Sequence, residues 1–178
     1  MRIHLGPHRL FGRIGDLPED DPFAALLADH ADFVDKLTEL EATLDEMMAT
    51  RDASEENEIL LDESVRFFEE ELLPVLAAED EVLLAPLEKA IGRYGTLVNV
   101  VGYEHDEIRR GVDKFRAATR ELEADASWAA IQETNRHGIF LVQFLWDHFR
   151  KERMSLFPTA RERLPAADLE RIRKRFAP

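Results

Sequence analysis

Apolar residues recur at spacings of three and four along four long stretches of the chain, the signature of helices with one buried face. The first stripe carries Phe23, Leu26, Leu27, Phe33, Val34 and Leu37. The second carries Leu72, Val75, Leu76, Val82 and Leu83, the third Val98, Val101, Ile108 and Val112, and the fourth Leu141, Phe144 and Leu145. Their punctuation predicts boundaries. Asp20 or Asp21 before Pro22 starts a helix reaching about residue 50, and Ser54 starts one that Gly92 and Gly95 end after Ile91. A third runs from Thr96 to Ala124. Ser127 caps a fourth that ends near Leu156, ahead of Pro158, and a short fifth follows Pro165. Pro74 and Pro86 predict kinks in the second helix. Short connections make successive helices antiparallel. The expected fold is all-α, an antiparallel up-down-up-down four-helix bundle over residues 22–160. An irregular N-terminal arm (1–21) precedes it, and a short C-terminal helix (161–178) packs on it.

Five ionisable residues interrupt these stripes: His30, Glu79, His105, His148 and Glu152. At 1.5 Å per residue, the distances of facing residues from their shared turns are roughly 30 against 37 Å for His30 and Glu79, 18 against 14 Å for Glu79 and His105, and 28 against 32 Å for His105 and His148. The five therefore share one level of the bundle, and Glu152 lies one turn from His148 on the same face. A lone core histidine is ordinarily a hydrogen-bonded core residue, and a lone buried glutamate is protonated or paired, for example with Arg109. Two carboxylates and three imidazoles at one level need compensating positive charge, because each isolated buried charge costs several kcal/mol. A metal cation supplies that charge. Imidazole and carboxylate donors without thiolate suit iron, with zinc or manganese as alternatives.

Composition narrows the rest. At 178 residues, 45% apolar and 34% charged, the chain fits one domain with a true core. The absence of cysteine removes disulfides, iron–sulfur clusters and thiolate chemistry, and fits a cytoplasmic protein. No apolar run is long enough for a transmembrane helix, and the N-terminus has no signal-peptide pattern. A net charge of -14 repels phosphate backbones and anionic lipids, so neither nucleic acid nor membrane is an expected partner. No nucleophile elbow, phosphate loop or H-E-x-x-H motif is present, which favours a non-enzymatic role. Gly102 and Leu145 precede His105 and His148 by three, so the Glu-x-x-His spacing of ferritin-like oxidases is also missing. His137 lies on the His148 face but roughly 16 Å away, too far to be a ligand. Tyr94 and Trp146 read as packing or surface aromatics. The basic residues Arg171, Arg173, Lys174 and Arg175 are expected to fold onto the acidic body.

The residues around the five resemble the hemerythrin-like, HHE cation-binding family over about residues 22–160. The fourth helix carries Phe144-Leu145-Trp146-Asp147-His148-Phe149-Arg150-Lys151-Glu152 and then Leu156-Phe157-Pro158, similar to that family's H-x-x-x-E and L-F-P segments. Glu104-His105-Asp106-Glu107-Ile108 resembles its E-H-x-x-I. Glu71-Leu72-Leu73-Pro74-Val75 through Glu79 resembles its E-L-L-P-H-x-x-x-E, and His30 matches its single first-helix histidine. The resemblance implies a non-haem di-iron centre, with Glu79 and Glu152 bridging, His105 and His148 serving one metal and His30 the other. It implies a role in sensing or responding to iron, oxygen or nitrosative and oxidative stress, with O2 or NO as small-molecule ligands.

Two departures bear on that expectation. Val75 stands where a ligating histidine is expected. His105 is the one histidine of its helix, flanked at one-turn spacing by Val101 and Arg109. Glu71, Asp80, His4 and His8 are weak substitutes for the missing imidazole, and water is the better one. The alternatives are a mononuclear centre, a weakly held dinuclear one, or a metal-free bundle acting as a protein-interaction module whose partner the sequence does not identify.

Overall fold

The structure, a computed structural model, describes residues 20–177. Nearly all of the expected N-terminal arm, including His4 and His8, lies outside the described residues. The described residues form five helices and no strand: α1 (Ala24–Thr50), α2 (residues 55–91), α3 (Leu97–Ala124), α4 (residues 128–163) and α5 (Ala166–Phe176). The all-α expectation is met. No helix among these residues is long and apolar enough to cross a membrane.

Local chemistry fixes the ends. Ser54 and Asn57 form a reciprocal capping box at the start of α2, and the Asn57 amide also donates to Glu46 on α1 at 3.1 Å. Gly92 and Gly95, at φ 79° and 73°, make the turn into α3 in the left-handed region that glycine tolerates. Ser127 accepts from the Ala130 N–H at the start of α4. The start of α1 differs from expectation. Pro22 is not its first residue, because the Asp21 carboxylate accepts from the Phe23 N–H at 2.8 Å and holds a turn there. Arg161 grips that same carboxylate at 2.9 and 3.1 Å and lies over the Phe23 ring.

The prolines also behave differently. Pro158 does not end the fourth helix, which runs on to Arg163. Pro74, Pro86 and Pro158 each follow a π-helical turn: Phe68–Leu72, Asp80–Leu84 and Glu152–Leu156. In each case the residue before the proline donates five residues back, Leu73 to Phe68, Ala85 to Asp80 and Phe157 to Glu152. A proline inside an α-helix lacks its N–H and collides with the carbonyl four residues earlier. Widening the turn by one residue relieves both conflicts.

The four long helices pack in a ring, α1 on α2, α2 on α3, α3 on α4 and α4 on α1. Paired contacts run in opposite directions along neighbours: His105 with Asp80 but Arg116 with Glu69, and His148 with Glu104 but Thr134 with Ala118. α5 lies against α1 and the Asp80–Leu84 turn, burying Ile172. The apolar interior falls into two clusters. One holds Phe33, Leu44, Phe68, Phe115 and Leu141; the other holds Phe23, Leu83, Val101, Leu156 and Phe157. Val75 is partly buried and touches both.

Two helix-interior glycines allow close approach. A Cβ on Gly138 would stand 2.5 Å from a Leu44 methyl and 3.1 Å from the Phe115 ring, and one on Gly111 2.8 Å from Leu141. A Cβ on Gly102 would meet nothing within 4 Å. Gly138→Ala is therefore expected to destabilise the fold by about 1–2 kcal/mol, as overpacking outweighs helix propensity. Gly102→Ala is expected to stabilise it by about 0.5–1 kcal/mol. Denaturant unfolding of both variants checks the opposite signs.

Candidate metal centre

All five sequence-predicted residues meet between the two apolar clusters. Glu79, His105 and Glu152 have no exposed surface, and His148 and His30 are 1% and 3% exposed. Ligand-type atoms of Glu79, His105, His148 and Glu152 lie within 4.8 Å of one another. His30 approaches from α1, its Nε2 3.7 Å from Glu79 Oε1 and 3.5 Å from Glu152 Oε2. The other two carboxylate oxygens face the opposite way. His105 Nε2 stands 3.6 Å from Glu79 Oε2 and 3.6 Å from Glu152 Oε1, and His148 Nε2 stands 3.3 Å from Glu152 Oε1. Each carboxylate thus turns one oxygen to His30 and the other to the His105 side.

None of these facing atoms has a hydrogen-bond partner. His30 Nε2, both oxygens of Glu79 and of Glu152, His105 Nε2 and His148 Nε2 are all buried and unsatisfied. Buried polar atoms are rarely left so, since each costs on the order of 1–3 kcal/mol. Their spacing fits a shared ion better than hydrogen bonds. Two donors each about 2.1 Å from one ion at a tetrahedral angle stand roughly 3.4 Å apart. The donor set, imidazole nitrogen and carboxylate oxygen, suits iron, manganese or zinc.

Two histidines are braced from behind. His105 Nδ1 lies 2.7 Å from Asp80 Oδ1, and Asp80 is held in turn by Arg109. His148 Nδ1 lies 3.0 Å from Glu104 Oε2, and Lys151 grips the other Glu104 oxygen. A carboxylate accepting from Nδ1–H leaves Nε2 directed into the centre. His30 has no such partner. Its Nδ1 is buried and unsatisfied, and its ring stacks on Phe149 at 4.4 Å with Phe157 at 5.8 Å.

The electrostatics reflect two carboxylates buried side by side. Burial, reinforced by the neighbouring Glu152 carboxylate, pushes the Glu79 pKa up. Glu152 goes the other way: burial opposes its charge, but His148, His105 and His30 outweigh that and hold its pKa down. Burial likewise opposes charge on His105, yet Asp80 and the two glutamates raise its pKa to about 9. His148 is raised against burial by Glu152 and Glu79. Burial disfavours a charged Asp80, but His105 and Arg109 lower its pKa overall.

Of the substitutes weighed from sequence, Glu71 and Asp80 do not join the centre. Glu71 is exposed, and Asp80 supports His105 from outside. Arg109 pairs with Asp80 and Asp106 rather than with Glu79. His137 is half-buried beside Glu133, 3.5 Å away, and is neither core nor ligand. Tyr94 is exposed and Trp146 packs partly buried on the core. Sequence reasoning missed Asp80 and Glu104 as bracing residues. The available signal was adjacency, each being an acid next to a predicted ligand and on the flank of a buried stripe.

Comparison with known families matches residues 21–160 to the hemerythrin HHE cation-binding domain. The chain belongs to this family. The match covers α1, α2, α3, α4 as far as residue 160, and all five residues of the centre. No curated protein and no solved structure matches the chain.

The raised His105 pKa has a signed consequence for this hemerythrin-like centre. Between the ordinary histidine value of about 6.5 and about 9, the metal-free folded chain holds a proton that the unfolded chain has lost. Its stability is therefore fully present below pH 6.5 and falls as pH rises towards 9. A metal held through His105 Nε2 would have to displace its proton, so its apparent affinity would rise over the same window. Thermal unfolding from pH 6.5 to 9, with chelator and with added metal, is expected to show a falling Tm in the first series and a widening metal-induced gain in the second.

Proposed function

We propose that this hemerythrin-like chain binds non-haem iron in the layer formed by His30, Glu79, His105, His148 and Glu152, and that it senses or responds to iron, oxygen or nitrosative and oxidative stress. The observation carrying the reading is the convergence of seven buried, unpartnered donor atoms from four helices. Glu79 and Glu152 are suited to bridge two ions, because each divides its oxygens between the His30 side and the His105–His148 side. When bound, iron supplies one-electron redox chemistry and open coordination positions for a small molecule such as O2 or NO. The protein's own part is to fix the donors, neutralise the carboxylate repulsion and exclude bulk water through the aromatic wall around His30.

Val75 limits the His30 side. On α2 it stands one turn before Glu79 and contributes packing to both apolar clusters, with no donor atom. That favours a centre in which the His105–His148 side is the better held, and weighs against stable oxygen carriage. Val75 also favours the alternative of a metal-free interaction module. Against this alternative stands the cost of burying two carboxylates together without a cation.

Metal analysis of protein purified without chelators tests the reading. The expected result is about one iron per chain, rising towards two in Val75→His. Absence of iron, manganese and zinc from both proteins would leave the interaction module as the better account.

A further inference from the structure

The two halves of the centre differ in what stands behind the ligands. His105 and His148 are each backed by a carboxylate, and each carboxylate is tied to a cation nearer the surface, Arg109 or Lys151. His30 has an apolar wall behind it and no acceptor for its Nδ1–H. Val75 subtracts a donor from that same half.

We propose that Asp80 and Glu104 are positioning residues that make the His105–His148 half a preformed, high-affinity metal site, filled before the His30 half. This rests on the metal-binding reading above. Asp80 and Glu104 do not reach the centre. In the neutral imidazole that would bind metal they hold the tautomer in which Nε2 is the free donor, fix each ring's rotation, and make each imidazole a stronger donor. Arg109 and Lys151 pair with the two acids and hold them in place, and both cations are only about one-third exposed. Among the described residues nothing comparable backs His30 Nδ1, and the ring packs against Phe149 and Phe157.

The arrangement also explains the placement of the bracing acids. Glu104 precedes His105 on α3 but serves His148 on α4, while Asp80 follows Glu79 on α2 but serves His105 on α3. Each acid therefore locks a ligand on a neighbouring helix. The pair links α2 to α3 and α3 to α4, and among the described residues no such link braces His30 on α1.

The test is titration of metal-free protein with zinc against a competing chromophoric chelator. The wild-type chain is expected to bind in a tight step and a weaker one. Asp80→Asn and Glu104→Gln should each weaken the tight step roughly 10–100-fold and leave the weaker step nearly unchanged. Val75→His should strengthen the weaker step alone. Equal weakening of both steps, or an unmoved tight step, would overturn the proposal. Arg109→Met and Lys151→Met leave every ligand and both acids in place, and carry the test where an acid variant fails to fold by circular dichroism. A smaller loss confined to the tight step is expected, and no loss overturns the assignment. A wild-type chain that binds no zinc, manganese or iron sinks the parent reading itself, an outcome distinct from equal steps or insensitive variants.

Discussion

Two carboxylates, Glu79 and Glu152, are fully buried together between two apolar clusters, and the rest of the site is arranged around that repulsion. Each acid left alone at this depth would cost several kcal/mol. The three histidines answer it from three helices, and the pKa shifts record the compromise: Glu79 pushed up, Glu152 held down, His105 and His148 raised. In the layer itself no facing nitrogen or oxygen has a hydrogen-bond partner among the described residues. Under the proposed function the same atoms would form the coordination shell of a cation. The fold tolerates the layer because four long helices bring ligands from several directions, and the apolar clusters on either side fix the helix phases that aim them.

Much of this was legible in the chain. Helical periodicity gave the stripes, and ionisable residues on those stripes stood out because a single polar group in a core is already costly. The height estimate worked because the helices are long and their connections short, so small errors in their ends displaced His30, Glu79, His105 and His148 by only a turn or so. The bracing acids were harder to see. Asp80 and Glu104 sit at stripe edges, where a carboxylate is equally consistent with solvent, and their partners lie 25 and 44 residues away on other helices. Cross-helix pairing of that kind depends on rotation about the helix axis, which periodicity resolves only coarsely. The start of α1 was missed because a side-chain hydrogen bond from Asp21 competed with the proline rule at Pro22.

The same limit applies to α4. A proline near a helix end is a sound stop signal when nothing compensates it, yet Phe157-Pro158 lies inside a continuous helix. The compensation comes from packing. Phe157 stacks on Phe23 at 4.6 Å, and Leu156 and Ala160 are fully buried, so stopping the helix at Leu156 would forfeit the wall beside His30. Burial of that stretch outweighs the local preference, and the backbone meets it by widening one turn.

Those widened turns have a further meaning for how the chain can vary in length. A π-helical turn is equivalent to one residue inserted into an α-helix, and a residue corresponds to about 100° of rotation. Insertion elsewhere in α2 or α4 would spin every later side chain off its face. At Phe68–Leu72, Asp80–Leu84 and Glu152–Leu156 the surplus residue is already absorbed, with the flanks on both sides in phase. A chain shorter by one residue at any of these places, and freed of the proline after it, would close to a plain α-helix without re-aiming either flank. Two of the three absorbers adjoin Glu79 and Glu152. The length of backbone beside each acid can therefore drift while the spacing between the acids and the helix faces that carry them stays constant.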